Sequence, residues 1–275
     1  MTDQAVTTDD GAPFYLPTGD EVELFRAAYA GRLPVLLKGP TGCGKTRFVE
    51  YMAWEVAKEA GTSRPPLVTI TCHDDLTSAD LVGRHLLSAD GTTWSDGPLT
   101  TAVRQGSICY LDEVVEARKD TTVVLHALTD HRRILPIERL GTTLQAHPDF
   151  LLVVSYNPGY QASSKDLKPS TRQRFVAIEF GYPPEDAEAR IIAHESGVQA
   201  DIADSLAYLG SRLRRLDEID VVEGPSTRLL VYAGALVRQG VGPRRACDVA
   251  LVQATGDDED VQAAVRAVVE AVFDS

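Results

Sequence analysis

Long hydrophobic runs are missing from this 275-residue sequence, and no apolar stretch reaches the length that crosses a bilayer. The first residues, Met1-Thr2-Asp3-Gln4, lack the basic-then-apolar order of a signal peptide. No internal repeat or low-complexity tract is visible either. We therefore expect a globular, cytoplasmic protein without membrane insertion, long enough for one large or two modest domains.

Cysteine is also scarce: the four residues Cys43, Cys72, Cys109 and Cys247 lie far apart and form no C-x-x-C pair. This spacing predicts reduced, mostly buried thiols rather than disulfides or a zinc site. The run Cys72-His73-Asp74-Asp75 contains metal-ligating residue types, but the sequence offers no second cluster of ligands to complete a site. We therefore interpret it as a polar loop that closes a strand.

Basic residues are outnumbered, because 27 Lys and Arg stand against 40 Asp and Glu and leave a net charge of −13. Such an acidic surface repels nucleic acid and anionic membranes, although a local basic channel stays open as an alternative. The hydrophobic fraction of 44% is ordinary for a globular domain and argues against long disorder.

What the sequence does contain is a glycine-rich loop at residues 39–46 that matches G-x-x-x-x-G-K-T. An apolar run precedes it and a segment with helical spacing follows it, which is the strand–loop–helix context of a phosphate-binding loop. Lys45 would reach the β- and γ-phosphates, and Thr46 would ligate Mg²⁺. The sequence therefore predicts a site for ATP or another nucleoside triphosphate, formed by Gly39, Pro40, Thr41, Gly42, Cys43, Gly44, Lys45 and Thr46.

A second apolar run, residues 107–111, ends in the acidic pair Asp112 and Glu113. In a phosphate-loop fold we expect this strand to lie beside the strand that precedes the loop, with its carboxylates at the metal end of the phosphates. Asp112 would then hold Mg²⁺ through water, and Glu113 would polarise the attacking water.

Two further segments carry candidate catalytic residues. The continuous apolar run 150–156 predicts a buried strand, and Asn157 after it could meet the γ-phosphate, form an Asx turn before Pro158, or do both. A short β-branched run predicts a strand at 67–71, and Arg172 and Arg174 precede a fifth predicted strand, 176–180. They are either an ordinary solvated pair or the cation that a neighbouring subunit supplies to a γ-phosphate.

The remaining pattern predicts an α/β domain at residues 1–183 and a smaller helical domain at 184–275. Within the first domain we predict a helix over 119–131 and two β-hairpins, at 81–97 and 133–147. Trp94 would lie either at an exposed hairpin tip or packed under the hairpin.

These motifs, taken in order, resemble the Walker A, Walker B and sensor-1 elements of AAA+ ATPases. The two hairpins resemble insertions of the MoxR branch, and nearly the whole chain is similar to its CbbQ/NirQ/NorQ subfamily. The stretches that carry this last resemblance are Leu81-Val82-Gly83-Arg84, Asp96-Gly97-Pro98-Leu99, residues 110–118 and residues 167–175.

The resemblance implies a five-stranded parallel AAA+ core flanked by helices, with the helical domain as a lid. It favours Arg174 over Arg172 as the arginine finger and matches Arg228 to the sensor-2 arginine. The order Pro225-Ser226-Thr227-Arg228 departs from the Ser-Pro-Arg order usual in the MoxR branch.

The function implied by the resemblance is a ring-forming, usually hexameric ATPase that remodels a partner enzyme. It would work with a von Willebrand factor A domain protein of the CbbO/NorD type. The target would be Rubisco, as in a Rubisco activase, with carboxysome association possible, or nitric oxide reductase. Two alternatives from other classes are a nucleic-acid motor, which the acidic balance argues against, and a nucleotide-gated assembly scaffold.

Overall fold

The computed structural model describes residues 11–61, 67–89, 91–118, 121, 123–158, 167–215, 224–254 and 256–273. The chain forms two compact units that divide between residues 179 and 180, and residues 40–44 group with the second unit. Among the described helices, none is both long and apolar enough to span a bilayer.

The described strands are β1 Val35–Lys38, β2 Leu67–Thr71, β3 Gly83–Ser88, β4 Gly91–Asp96, β5 Ile108–Asp112, β6 Ile134–Ile137, β7 Thr142–Gln145, β8 Leu151–Tyr156 and β9 Val176–Glu179. The described helices of the first unit are α1 Glu21–Ala30, α2 Lys45–Glu59, α3 Ser78–Val82, α4 Pro98–Gln105 and α5 Pro169–Arg172. Those of the second unit are α6 Glu185–Ser196, α7 Ala200–Arg215, α8 Thr227–Arg238, α9 Pro243–Cys247 and α10 Glu259–Phe273.

Five of the described strands form one parallel sheet in the order β2-β5-β8-β1-β9. Their apolar runs are the reason, since strands buried on both faces consist almost entirely of apolar residues. The sheet and the two inserted hairpins confirm the predicted α/β fold class. One detail was wrong: β5 does not lie beside β1, because β8 pairs with both of them. All six residues of β8 are buried, which suits an interior position in the sheet.

The first hairpin pairs β3 with β4, so that His85 lies opposite Trp94. Trp94 is half-buried, its indole N–H donates to Asp96 Oδ1 at 2.7 Å, and it packs partly against the core of the first unit. Trp94 therefore packs within the hairpin rather than at its tip. The residue that stands out into solvent is Leu87, with 88% of its surface exposed.

The second hairpin pairs β6 with β7 around Gly141, which has a positive φ of 62°. The predicted helix over 119–131 is wrong for its second half, because residues 124–132 form turns. Leu128 N–H donates to Leu125 O at 3.0 Å. Ile134 N–H donates to Ala127 O at 3.1 Å, so the chain reverses direction before β6. These turns bury Leu125 and Leu128, which are three residues apart, as one face of a helix would. Residues 119, 120 and 122 lie outside the described residues.

The second unit is helical and has a hydrophobic core of its own, centred on α6, α7 and α8. α7 has an amphipathic pattern whose apolar face is buried: Ala203, Leu206, Ala207, Leu209, Gly210 and Leu213. After α9 the chain continues as a π-helical turn, Asp248–Val252. The chain is therefore helical from Pro243 to Val252 and changes from α-helical to π-helical after Cys247.

Candidate functional site

The loop between β1 and α2 bends through two glycines with positive φ, Gly42 at 68° and Gly44 at 100°. A Cβ atom built on Gly44 would meet nothing within 4 Å. Glycine is therefore needed at position 44 for its backbone conformation and not for space, since residues with a side chain rarely adopt such φ values.

Lys45 is the first residue of α2, and only 9% of its surface is exposed. Its Nζ donates to Gly39 O at 2.7 Å, across the loop. A buried ammonium group at the opening of a helix adds its charge to the positive end of the helix dipole. The loop therefore combines backbone N–H groups, a helix N-terminus and a cation, all of which attract phosphate.

The carboxylate of Asp112, at the end of β5, accepts hydrogen bonds from hydroxyl groups of its own strand, of β8 and of α2. Oδ1 accepts from Tyr110 Oη at 2.7 Å and from Ser155 Oγ at 2.6 Å. Oδ2 accepts from Thr46 Oγ1 at 3.3 Å. The structure thus brings together Thr46 and Asp112, the two residues that the sequence predicts as metal ligands.

Burial, followed by the nearby Asp112 charge, raises the pKa of Tyr110 above its usual range. The phenol therefore stays protonated at physiological pH and serves as a donor to the carboxylate. Burial, followed by Asp112 and Glu113, also raises the pKa of Cys72 to about 12. Cys72 is thus a neutral thiol, and all four cysteines are buried and free, as predicted.

The donors that converge at this point are oxygen atoms, which suit a hard cation such as Mg²⁺. Within the described parts of the chain, no group of three His, Cys, Asp or Glu side chains is placed to hold a metal alone. Proteins commonly bind Mg²⁺ through one or two side chains together with substrate phosphates.

Glu113 is exposed and has left-handed backbone angles, φ 55° and ψ 51°. Its N–H donates to Ser155 Oγ at 3.1 Å, the same hydroxyl that donates to Asp112. A left-handed conformation costs a residue with a Cβ about 1–2 kcal/mol. Here it turns the chain sharply out of β5 and into the 3₁₀ turn Val114–Glu116.

Asn157 is half-buried and directly follows β8. Because β8 lies between β5 and β1, Asn157 emerges between Glu113 and the glycine loop along the carboxyl edge of the sheet. Arg172 and Arg174 are exposed residues at the end of α5 and in the turn before β9. Arg174 Nη1 donates to His126 O at 3.4 Å.

Arg228 is an exposed residue in the first turn of α8, in the second unit. Ser226 caps this helix by accepting from Leu229 N–H at 3.4 Å. A Cβ atom built on Gly42, which groups with the same unit, would lie 2.6 Å from Ser226 Cβ and 3.6 Å from Arg228 Cβ. The start of α8 is therefore packed against the glycine loop closely enough to exclude any larger residue at position 42.

Sequence reasoning assigned no role to Tyr110 or Ser155, the two residues that fix Asp112. A signal was available for both. Tyr110 precedes Asp112 by two positions and so faces the same side of the strand, and Ser155 is a polar residue within an apolar run. Neither pattern alone says that the two hydroxyls meet at one carboxylate oxygen.

Two family models match this chain: the AAA domain (dynein-related subfamily) over residues 34–175, and the CbbQ/NirQ/NorQ C-terminal model over residues 188–272. The chain is 57% identical to protein CbbQ of Hydrogenophilus thermoluteolus, and the match covers 95% of each chain. It is 58% identical to denitrification regulatory protein NirQ of Pseudomonas aeruginosa, over 95% of this chain and 98% of the relative. It is 56% identical to protein NorQ of Paracoccus denitrificans, over 95% of this chain and 94% of the relative.

Among solved structures, a mutant of RuvB from Thermotoga maritima superposes with a TM-score of 0.52. The match covers 90% of this chain and 67% of that one, at 17% sequence identity, and therefore shows the fold alone.

The fold, the glycine loop and the AAA domain match define the class, an AAA+ ATPase that binds a nucleotide. Within that class the chain belongs to the CbbQ/NirQ/NorQ family of MoxR-type AAA+ proteins.

Proposed function

We propose that the glycine loop and the Asp112 cluster together carry out Mg²⁺-dependent hydrolysis of ATP to ADP and phosphate. The observation that supports this most directly is the 3.3 Å contact between Thr46 Oγ1 and Asp112 Oδ2. Thr46 directly follows the buried Lys45, so the proposed metal ligands lie next to the proposed phosphate-binding cation. Thr46 and Asp112 would hold Mg²⁺, which when bound would neutralise charge on the phosphate oxygens.

The remaining residues act on the water and on the γ-phosphate. Glu113 acts as the general base that accepts a proton from the attacking water. Its carboxylate is exposed at the end of β5, where water can reach it. Asn157, which follows the strand between β5 and β1, orients the same water or the γ-phosphate. Arg228 contacts the nucleotide of its own chain, and the position of its Cβ, 3.6 Å from where a Cβ on Gly42 would lie, supports this.

Arg174 serves as the arginine finger of a neighbouring subunit, with Arg172 as the second candidate. Both side chains are exposed, as such a role requires. A finger acting in trans requires a head-to-tail interface between subunits, and we propose that this interface closes into a hexameric ring. We further propose that residues 1–183 form the nucleotide-binding domain and 184–275 a lid that moves during the cycle.

This cycle remodels a partner enzyme, together with a von Willebrand factor A domain protein of the CbbO/NorD type. Support comes from identities of 56–58% over 95% of the chain, which include the C-terminal region. We propose Rubisco blocked by a sugar phosphate as the target. The relative named as a denitrification regulatory protein favours nitric oxide reductase as the alternative target.

Paired assays test this proposal with wild-type protein, Lys45→Ala and Lys58→Ala. Lys58 lies on the same helix with its Nζ 4.6 Å from the Trp54 ring centroid, so its variant controls for loss of a charge on α2. We expect ATP turnover, and recovery of inhibited Rubisco with the von Willebrand partner, in wild type and Lys58→Ala only. ATP-dependent activation of nitric oxide reductase, without Rubisco recovery, would establish the alternative target. Turnover in Lys45→Ala equal to that of wild type would refute the site.

A further inference from the structure

A buried ion pair lies inside the second unit. Glu188 on α6 is fully buried, and its two carboxylate oxygens accept from Arg214 Nη1 and Nη2 on α7, both at 2.7 Å. Glu188 Oε1 also accepts from Thr227 Oγ1 on α8 at 2.6 Å. Burying such a pair costs desolvation that its attraction often fails to offset, so it is weak grounds for a purely stabilising role.

Arg214 also fixes the segment that leads into α8. Its Nε donates to Pro225 O at 2.9 Å. A Cβ atom built on Gly224 would lie 2.7 Å from Arg214 Cγ, so the backbone of residue 224 rests directly on this side chain. Residues 224, 225 and 227 are thus held by one guanidinium–carboxylate pair. The residues between and after them, Ser226 and Arg228, are the ones that approach Gly42.

Tyr182 links the same guanidinium to the glycine loop by a second route. The Arg214 Cζ atom lies 3.8 Å from the centroid of the Tyr182 ring, which is a close cation–π contact. The hydroxyl of Tyr182 donates to Thr41 O at 3.4 Å. Arg214 therefore contacts residues on both sides of this packing. It bonds to Pro225 just before α8, and it packs on Tyr182, which bonds to Thr41.

We propose that Arg214 is a positioning residue for nucleotide binding and hydrolysis, acting through Arg228. Its planar fork holds residues 224–227 in the register that presents Arg228 to the glycine loop, and Glu188 and Tyr182 keep that fork in place. The proposal rests on the nucleotide-contacting role proposed above for Arg228. It adds that the geometry of this contact is set by a buried pair that does not itself touch the nucleotide.

A double-mutant cycle with Arg214→Lys and Arg228→Ala tests the proposal, because lysine keeps the charge but cannot make the bidentate contact. The measured quantities are the affinity for a non-hydrolysable ATP analogue, the kcat and KM for ATP, and the melting temperature without nucleotide. We expect Arg214→Lys to weaken analogue binding about tenfold in the wild-type background and less than about twofold in the Arg228→Ala background. A purely structural role would lower the melting temperature and leave the two losses multiplicative.

Each outcome has a distinct reading. If Arg228→Ala impairs binding and the losses multiply, Arg214 does not act through Arg228 and this inference fails alone. If Arg228→Ala leaves both binding and turnover unchanged, the proposed role of Arg228 fails and the inference falls with it.

If Arg214→Lys does not fold, the cycle is run with Tyr182→Leu, which removes both the ring that packs on the Arg214 guanidinium and the hydroxyl that donates to Thr41 O. We expect about a twofold to threefold loss of analogue affinity, and an unchanged affinity overturns the proposal. Tyr208→Leu is the matched control, because the Tyr208 ring also lies beside an arginine, Arg212, and its hydroxyl accepts from that arginine at 3.0 Å on the exposed side of α7. It should leave analogue affinity unchanged.

Discussion

Glu113 combines an exposed carboxylate with a left-handed backbone that is anchored by its own N–H to Ser155. We predict that Glu113→Gln lowers kcat about 100-fold or more, because the amide cannot accept a proton from water. ATP affinity should stay within about twofold, since the phosphate loop is untouched. Steady-state turnover and nucleotide binding measure the two effects, with Glu59→Gln on α2 as an exposed control. Normal turnover in Glu113→Gln would remove Glu113 from the catalytic set.

Ser155 and Ser107 are both buried serines of the central sheet region, but their hydroxyls differ in hydrogen bonding. Ser155 bonds to both Asp112 and Glu113, whereas among the described residues Ser107 Oγ has no hydrogen-bond partner. We predict that Ser155→Ala lowers the free energy of unfolding by about 1–3 kcal/mol and raises the Mg²⁺ concentration needed for half-maximal turnover.

Ser107→Ala is the matched control and should be neutral or stabilising by about 1 kcal/mol, because it removes a buried hydroxyl that makes no bond. Denaturant unfolding and a Mg²⁺ titration of ATP turnover measure both variants. Equal effects of the two substitutions on Mg²⁺ dependence would contradict the role of Ser155 at the Asp112 carboxylate.

At the residue scale, the sequence predicted those features of the site that depend on residue type and on position within a motif. The positive φ angles of Gly42 and Gly44 follow from their residue type in a glycine loop. The presence of a hydroxyl at Thr46 and of a carboxylate at Asp112 follows from their places in the two motifs. The contact between Ser226 and Gly42 does not, because it joins residues far apart in the chain. No period or propensity reports such a distance.

At the scale of elements, the β3–β4 hairpin ends in an unusually exposed apolar residue, Leu87. We predict that Leu87→Ser leaves basal ATP turnover within about twofold and lowers activation of the target enzyme at least about fivefold, because a central apolar contact carries much of an interface's energy. Turnover alone and turnover with target and partner present are the paired measurements. Leu24→Ser on α1 is the control, since it also removes a partly exposed leucine. Full activation of the target enzyme by Leu87→Ser would show that this hairpin does not provide the contact.

Trp94 is a poorer probe of the same hairpin. It is half-buried, bonded to Asp96 and packed against the core, so Trp94→Ala would loosen the base of the hairpin as well as any contact it makes. A defect in that variant would mix folding with recognition.

The elements themselves were largely predictable, since apolar runs and glycine signals marked the five sheet strands and both hairpins. Two errors have physical causes. The turns after residue 123 bury Leu125 and Leu128 at the same spacing as a helix would. The strands β5, β8 and β1 are all interior strands with similar apolar runs, so their sequences do not report the order in which they pair.

At the scale of the whole molecule, a single chain contains both halves of the proposed catalytic interface, the glycine loop and Arg174. In the proposed ring they belong to different active sites, so the role of the arginine finger is a property of the assembly. Both arginine candidates are exposed, and Arg174 donates only weakly, at 3.4 Å, to His126 O. Substituting each arginine separately and measuring ATP turnover therefore decides which of the two is the finger.

We predict that Arg174→Ala binds ATP normally but hydrolyses it at least about 100-fold more slowly, because the charge that stabilises the transition state comes from the next subunit. Lys45→Ala should be inactive by itself. A mixture of equal parts should recover activity, since about a quarter of randomly formed interfaces join an intact Lys45 to an intact Arg174. Subunit exchange is verified by fluorescence energy transfer, and Arg172→Ala is mixed in parallel. Exchange without recovery would assign Arg174 to its own subunit's site, and a larger defect in Arg172→Ala would transfer the finger role to Arg172.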